Sequence, residues 1–160
     1  MKGTTMTLSG KTPKIIMTVA CAMMFASPMA ATNALAMGNS TSWGSGDTDL
    51  SAVTELVDGG MYDKAIDTIK EMLKDDPENA DLFNYLAYSQ RKQGDFDSAA
   101  QNYERALMID PEHVGALEYQ GELFLKTGKP DMARENLARL EQVCGMSCDE
   151  YKELSAKIAN

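Results

Sequence analysis

From residue 48 onward, apolar positions recur every three or four residues, in stretches of about a dozen separated by glycine or proline. That period puts them on one stripe of an α-helix and predicts amphipathic helices. The helices are expected over residues 48–58, 61–74, 80–93, 96–109, 114–127, 130–143 and 148–159.

The helical pattern repeats at one fixed shift, the shift that carries Gly60 onto Gly94 and Gly94 onto Gly128. Asp63, Asp97 and Asp131 fall in step with them, as do Ala65, Ala99 and Ala133. Ile69, Tyr103 and Leu137 share one slot, and Pro77 and Pro111 share another. A fixed period of this length implies stacked helix pairs, each burying its apolar face against its neighbours. The glycines suit the left-handed residue that ends a first helix. Asp95 is placed to cap the helix starting at Phe96. Pro77 and Pro111 stop the second helices because proline has no amide proton to donate. At the three shared alanines helices approach closely, and a larger side chain would cost on the order of 1–3 kcal/mol through overpacking.

The middle unit, residues 80–113, resembles the tetratricopeptide repeat family. Phe83, Leu86 and Ala87 fit the aromatic, leucine and small residue of its first helix. Gly94, Phe96, Ala99, Tyr103, Ala106 and Pro111 fit its turn, second helix and closing proline. The third unit, 114–147, keeps Gly121, Phe124, Gly128 and Ala133 but has Pro130 and Gly145 where the pattern has an aromatic and a proline. The first, 46–79, keeps Gly60, Tyr62, Ala65 and Pro77, and its first helix fits only through Leu50, Val53, Leu56 and Val57. The resemblance covers about 100 of 160 residues. It implies an all-α superhelix of three helix pairs, closed here by a capping helix over 148–159.

The resemblance further implies binding of a polypeptide on the concave face, lined by the first helix of each pair. The residues expected to face outward there are Asp81, Asn84, Tyr88, Arg91 and Lys92, then Glu118, Glu122, Leu125 and Lys126. The Asn84 amide both donates and accepts, as a clamp on an extended backbone must. Tyr88 offers apolar area with a hydroxyl tip. Some family members trap a carboxylate with basic and Asn residues on successive first helices. Here the slots one repeat before and one repeat after Asn84 hold Leu50 and Glu118, which argues against such a trap.

Residues 1–47 read differently. A basic, polar start (Lys2, Lys11, Lys14) precedes the apolar run 15–26 and the small residues Ala34-Leu35-Ala36. This is the layout of a secretory signal peptide over 1–36, with cleavage expected after Ala36 and a periplasmic location in a Gram-negative source. The apolar run 15–26 is too short for a stable membrane span. Cys21, after Thr18-Val19-Ala20, loosely fits a lipoprotein acylation site and is the competing reading. Residues 37–47 are Gly- and Ser-rich, the composition of a flexible linker. Trp43 within it is either lightly packed on the first helix or an anchor for a partner or for the protein's own groove.

Charge narrows the partners. The formal net charge is −9, and loss of a leader ending at Ala36, which carries three lysines and no acid, makes it −12. Such a surface repels phosphate backbones and anionic lipid, which excludes non-specific nucleic-acid binding and favours basic or apolar protein partners.

Near the carboxyl end, Gly145 suits a helix end, and Ser147 with Glu150 reads as a capping box opening the last helix. Tyr151, Leu154 and Ile158 form its apolar stripe, with Lys152, Glu153 and Lys157 expected to point away. Cys144 and Cys148 flank the turn, and in an exported protein such a pair reads as a structural disulfide. The loop is short, so its entropic contribution is only about 2 kcal/mol. Its expected job is to fix the angle of the capping helix. Two sharper readings use the same pair: Cu(I) binding with Met146, or a redox dithiol. His113, in an inter-repeat turn, reads as a surface residue.

No phosphate-cradling glycine loop, zinc-ligand spacing or nucleophile elbow occurs in the sequence. The expectation is therefore a non-catalytic adaptor without cofactors or metal that binds a partner polypeptide in the cell envelope. A thiol-based carrier of electrons or copper is the alternative, separable by counting free thiols. Self-association through the degenerate first repeat is a third possibility.

Overall fold

The computed structural model describes residues 48–160. Seven helices and no strand are found among them: α1 (Ser51–Asp58), α2 (Tyr62–Asp75), α3 (Ala80–Gln93), α4 (Phe96–Ile109), α5 (Val114–Lys126), α6 (Pro130–Val143) and α7 (Asp149–Ala159). The expected leader, linker, Cys21 and Trp43 lie outside the described residues.

Turn chemistry sets the helix ends. Gly60, Gly94 and Gly128 have φ of 69°, 90° and 75°, in the left-handed region that a side chain disfavours. Asp95 caps α4, its carboxylate accepting from the Ser98 amide at 3.1 Å. Asn79 does the same for α3, accepting from Leu82 at 3.0 Å. α2 and α4 each stop two residues before their proline.

Two ends depart from expectation. α1 begins at Ser51 rather than at 48, because the residues before it are tied up elsewhere. The Thr48 hydroxyl donates to Asp76 at 2.9 Å and accepts from Asn79 at 3.2 Å, anchoring the chain to the turn between α2 and α3. Cys148, not Ser147, is the N-cap of α7, and no side chain caps that end.

The helix pairs stack in register. α1 and α2 close over Val53, Val57, Ala65 and Ile69, joined by Leu82 and Leu86 of α3. Ala87, Ala99, Tyr103, Ala116, Leu117 and Leu140 carry the core onward through α3 to α6. Ala65, Ala99 and Ala133 are fully buried. α7 touches both α5 and α6, just as α5 touches both α3 and α4. It therefore occupies the place of a fourth first helix, with Leu154 buried in the core. The fold is an all-α superhelix. No helix among the described residues is long and apolar enough to cross a membrane.

Candidate functional site: the first-helix face

On α3, Asn84, Tyr88 and Arg91 fall at i, i+4 and i+7 and form one stripe. On α5, Glu118 and Glu122 form the next. The structure joins the two. Arg91 makes a 2.6 Å ion pair with Glu122, and its Nε donates to the Tyr103 hydroxyl at 3.3 Å. Its guanidinium carbon also lies 5.2 Å from the Tyr88 ring centre and 5.5 Å from that of Tyr119. The Tyr88 and Tyr119 rings are 4.9 Å apart, and Tyr62 meets Tyr88 edge-on at 6.4 Å. Both aromatic and cation–π contacts gain when desolvated, and Arg91 is buried.

Asn84 is fully buried, and neither its Nδ2 nor its Oδ1 has a hydrogen-bond partner among the described residues. A buried amide left unpaired costs on the order of 1–3 kcal/mol, so such a group calls for an explanation.

α7 contributes the far wall. Lys157 Nζ lies 3.4 Å from Glu118 and 3.7 Å from Glu153, and it also bonds Glu122. Burial, followed by the adjacent Glu153, pushes the Glu118 carboxyl up to about 8, against the opposing pull of Lys157.

Several expected groove residues are committed elsewhere. Asp81 is buried against His113, whose Nε2 lies 3.1 Å from Oδ1. His113 is not a surface residue: its Nδ1 accepts from the Ala116 amide at 3.2 Å and caps α5. That acceptor role places the ring proton on Nε2, which donates to Asp81. Leu125 does not face outward but packs, partly buried, against the core. Lys126 reaches the Phe96 ring of α4 at 5.6 Å, and Lys92 lies 5.0 Å from the Tyr88 ring centre. Lys157 and Glu153, expected to point away with Lys152, instead turn toward Glu118 of α5, since they sit within one turn of Leu154.

One polar device escaped the sequence reading. Asn102 and Asn136 hold the same slot in successive repeats, and each donates to a glutamine of the preceding first helix, Gln90 at 2.8 Å and Gln120 at 3.0 Å. Their shared slot was the available signal.

At the α6–α7 corner, the Cα atoms of Cys144 and Cys148 are 5.8 Å apart, within the span of a disulfide. Glu150 places a carboxylate oxygen within 4.8 Å of both sulfurs. A hard oxygen beside two sulfurs is a poor match for Cu(I), which prefers soft donors. Met146, the other sulfur, is exposed.

The residues that bury one pair against the next are those of a known repeat, and a family model for the tetratricopeptide repeat matches residues 50–113 and 86–143. The chain belongs to the tetratricopeptide repeat family. Among solved structures, the type III secretion translocator chaperone SycD of Yersinia enterocolitica is similar, with a TM-score of 0.59, 21% identity, and coverage of 68% of this chain and 82% of that one. PcrH in complex with the chaperone binding region of PopD gives a TM-score of 0.58 at 17% identity, covering 68% and 81%. The first TPR of Spaghetti (RPAP3), bound to an HSP90 peptide, gives 0.58 at 19% identity, covering 68% and 89%. At these identities the likeness speaks to the fold. No curated protein sequence matches the chain.

Proposed function

We propose that this protein is a non-catalytic adaptor of the cell envelope that holds an extended segment of a partner polypeptide along its first-helix face. The observation that carries the reading is Asn84, which was expected to face outward but is a fully buried amide with no partner, so that a guest backbone meets it once the side chains over it part. An extended backbone offers that amide one N–H and one C=O. Tyr88, one turn along α3 from it, and Tyr119 against the Tyr88 ring supply apolar area at low entropic cost. Three similar folds support the reading, because SycD is described with a peptide of the translocator YopD, PcrH with a region of PopD, and RPAP3 with an HSP90 peptide.

In this proposal residues 1–36 direct export and are removed after Ala36, and 37–47 tether the stack that begins at 48. Cys144 and Cys148 form a structural disulfide that fixes α7. Affinity capture of the full-length protein, expressed in its source cell, tests the adaptor reading. A partner retained by the natural protein should be lost when Asn84 and Tyr88 become Ala, and undiminished recovery would remove the groove from the proposal. Thiol counting on the same preparation tests the disulfide: a permanently oxidised pair fits it, whereas readily reduced thiols would favour a redox carrier.

A further inference from the structure

The far end of the first-helix face has more acid than base. Glu118 and Glu122 of α5 and Glu153 of α7 gather around a single ammonium, that of Lys157. Among the described residues, the only other cation paired with them is Arg91, which is held by Glu122, Tyr103 and two tyrosine rings. Three carboxylates thus share two cations. Lys92 and Lys126 do not relieve the excess, since their ammonium groups lie over the rings of Tyr88 and Phe96.

Two further features point to a guest. Asn84, buried and unpaired, occupies on α3 the slot that Glu118 occupies one repeat later on α5. Lys157 shows what kind of group the carboxylates accept. Leu154 also ties α7 to the core, and the Lys157 side chain is 42% exposed near the end of the helix.

We propose that Glu118 and Glu122 form a seat for one cationic side chain, preferably arginine, of the bound partner segment, and that Lys157 fills this seat in the free protein. The inference rests on the groove reading above and adds the chemistry of the occupant. A guanidinium presents a planar fork to two carboxylate oxygens, which an ammonium cannot do. When it enters, Lys157 falls back on Glu153, its neighbour one turn away within α7. Tyr88 and Tyr119 then flank the guest's stem, and Asn84 takes the backbone one repeat earlier. The net charge, −9 for the full chain and −12 without residues 1–36, draws a basic segment in.

The exchange has a proton balance. With its carboxyl pushed up to about 8, Glu118 holds a proton at neutral pH while only two cations are present. A third cation favours the ionised form, so the proton leaves to solvent as the guest seats.

The test uses the full chain and blocked heptapeptides with a central arginine and otherwise neutral residues. Each binder is paired with its citrulline twin, which keeps the shape and loses the charge. Titration calorimetry is expected to show a tenfold or greater loss of affinity on changing arginine to citrulline. Proton uptake by buffers of differing ionisation enthalpy should accompany the arginine peptide only. Glu118→Gln, isosteric with the protonated side chain, should abolish the preference with the helical circular dichroism unchanged. Lys157→Met should tighten the arginine peptide several-fold and leave the citrulline peptide unaffected. Equal affinity for the twins, or a preference that survives Glu118→Gln, overturns the seat while the groove stands. If no heptapeptide binds at millimolar concentration, the seat and the groove reading both fall.

Discussion

Gly121 of α5 lies directly beneath Leu154 of α7: a Cβ built on the glycine would stand 2.6 Å from one Leu154 methyl carbon and 2.8 Å from the other. The missing side chain is what lets the capping helix sit down on the last repeat. Leu154 itself is fully buried.

Gly121→Ala therefore sets two effects against each other. Replacing a mid-helix glycine gains up to about 1 kcal/mol in helix propensity. Overpacking against Leu154 costs about 1–3 kcal/mol. The expected outcome is a net loss of stability in urea melts, with α7 amides exchanging faster than those of α3 and α4. Leu154→Ala should cost about 2–5 kcal/mol through the cavity it leaves. Equal or greater stability of Gly121→Ala would show that α7 is not docked as described.

Glu118 makes stability depend on pH. Its carboxyl is raised in the folded state from an ordinary 4.5 to about 8. Between those values the folded chain binds more protons than the unfolded one, so the contribution is intact below about 4.5 and is lost as pH rises through about 8. The groups facing it are Glu122 on its own helix and Glu153 and Lys157 on α7, with Arg91 reached through Glu122. Thermal melts should show Tm falling from pH 5 to pH 9. Glu118→Gln should flatten that slope, and a parallel slope in the variant would refute the assignment.

Asn84→Ala separates binding from folding. Removing a buried amide that lacks partners relieves a desolvation cost of about 1–3 kcal/mol, partly offset by the smaller volume. A net gain near about 1 kcal/mol is expected, or several degrees in Tm for a domain of this size. A group held for a ligand should behave this way, with stability rising as capture of the partner falls. A large drop in Tm would mean that Asn84 is instead part of the structural framework.

His113 has two jobs that substitution can divide. His113→Ala loses both the cap on α5, about 1 kcal/mol, and the bond to the buried Asp81, about 1–3 kcal/mol, and should cost about 2–4 kcal/mol in all. His113→Asn restores a good N-cap without the reach to Asp81. Chemical denaturation should place the Asn variant between Ala and the natural protein; an Asn variant no better than Ala would deny the capping role.

The helix pairs, their turns and their order were legible because a solenoid is built from local signals. Gly60, Gly94 and Gly128 end helices by backbone conformation, Asp95 starts one by a single hydrogen bond, and Ala65, Ala99 and Ala133 mark close approach at a fixed spacing. None of these depends on residues far away in the chain. The stripe Asn84, Tyr88 and Arg91 could likewise be read from helical periodicity and the repeat. What periodicity could not reveal is which polar groups find one another across helices. His113 looked like a turn residue and is buried on Asp81, 32 residues earlier. Lys157 looked solvated and lies against Glu118, 39 residues earlier. Arg91 looked available to a ligand and is spent on Glu122 and Tyr103. Secondary structure follows from neighbours three or four positions apart, so the sequence alone determined the stack. The state of each charge on its inner face depends on distance, burial and partners set by the packing of α3, α5 and α7, and only the tertiary structure decided that.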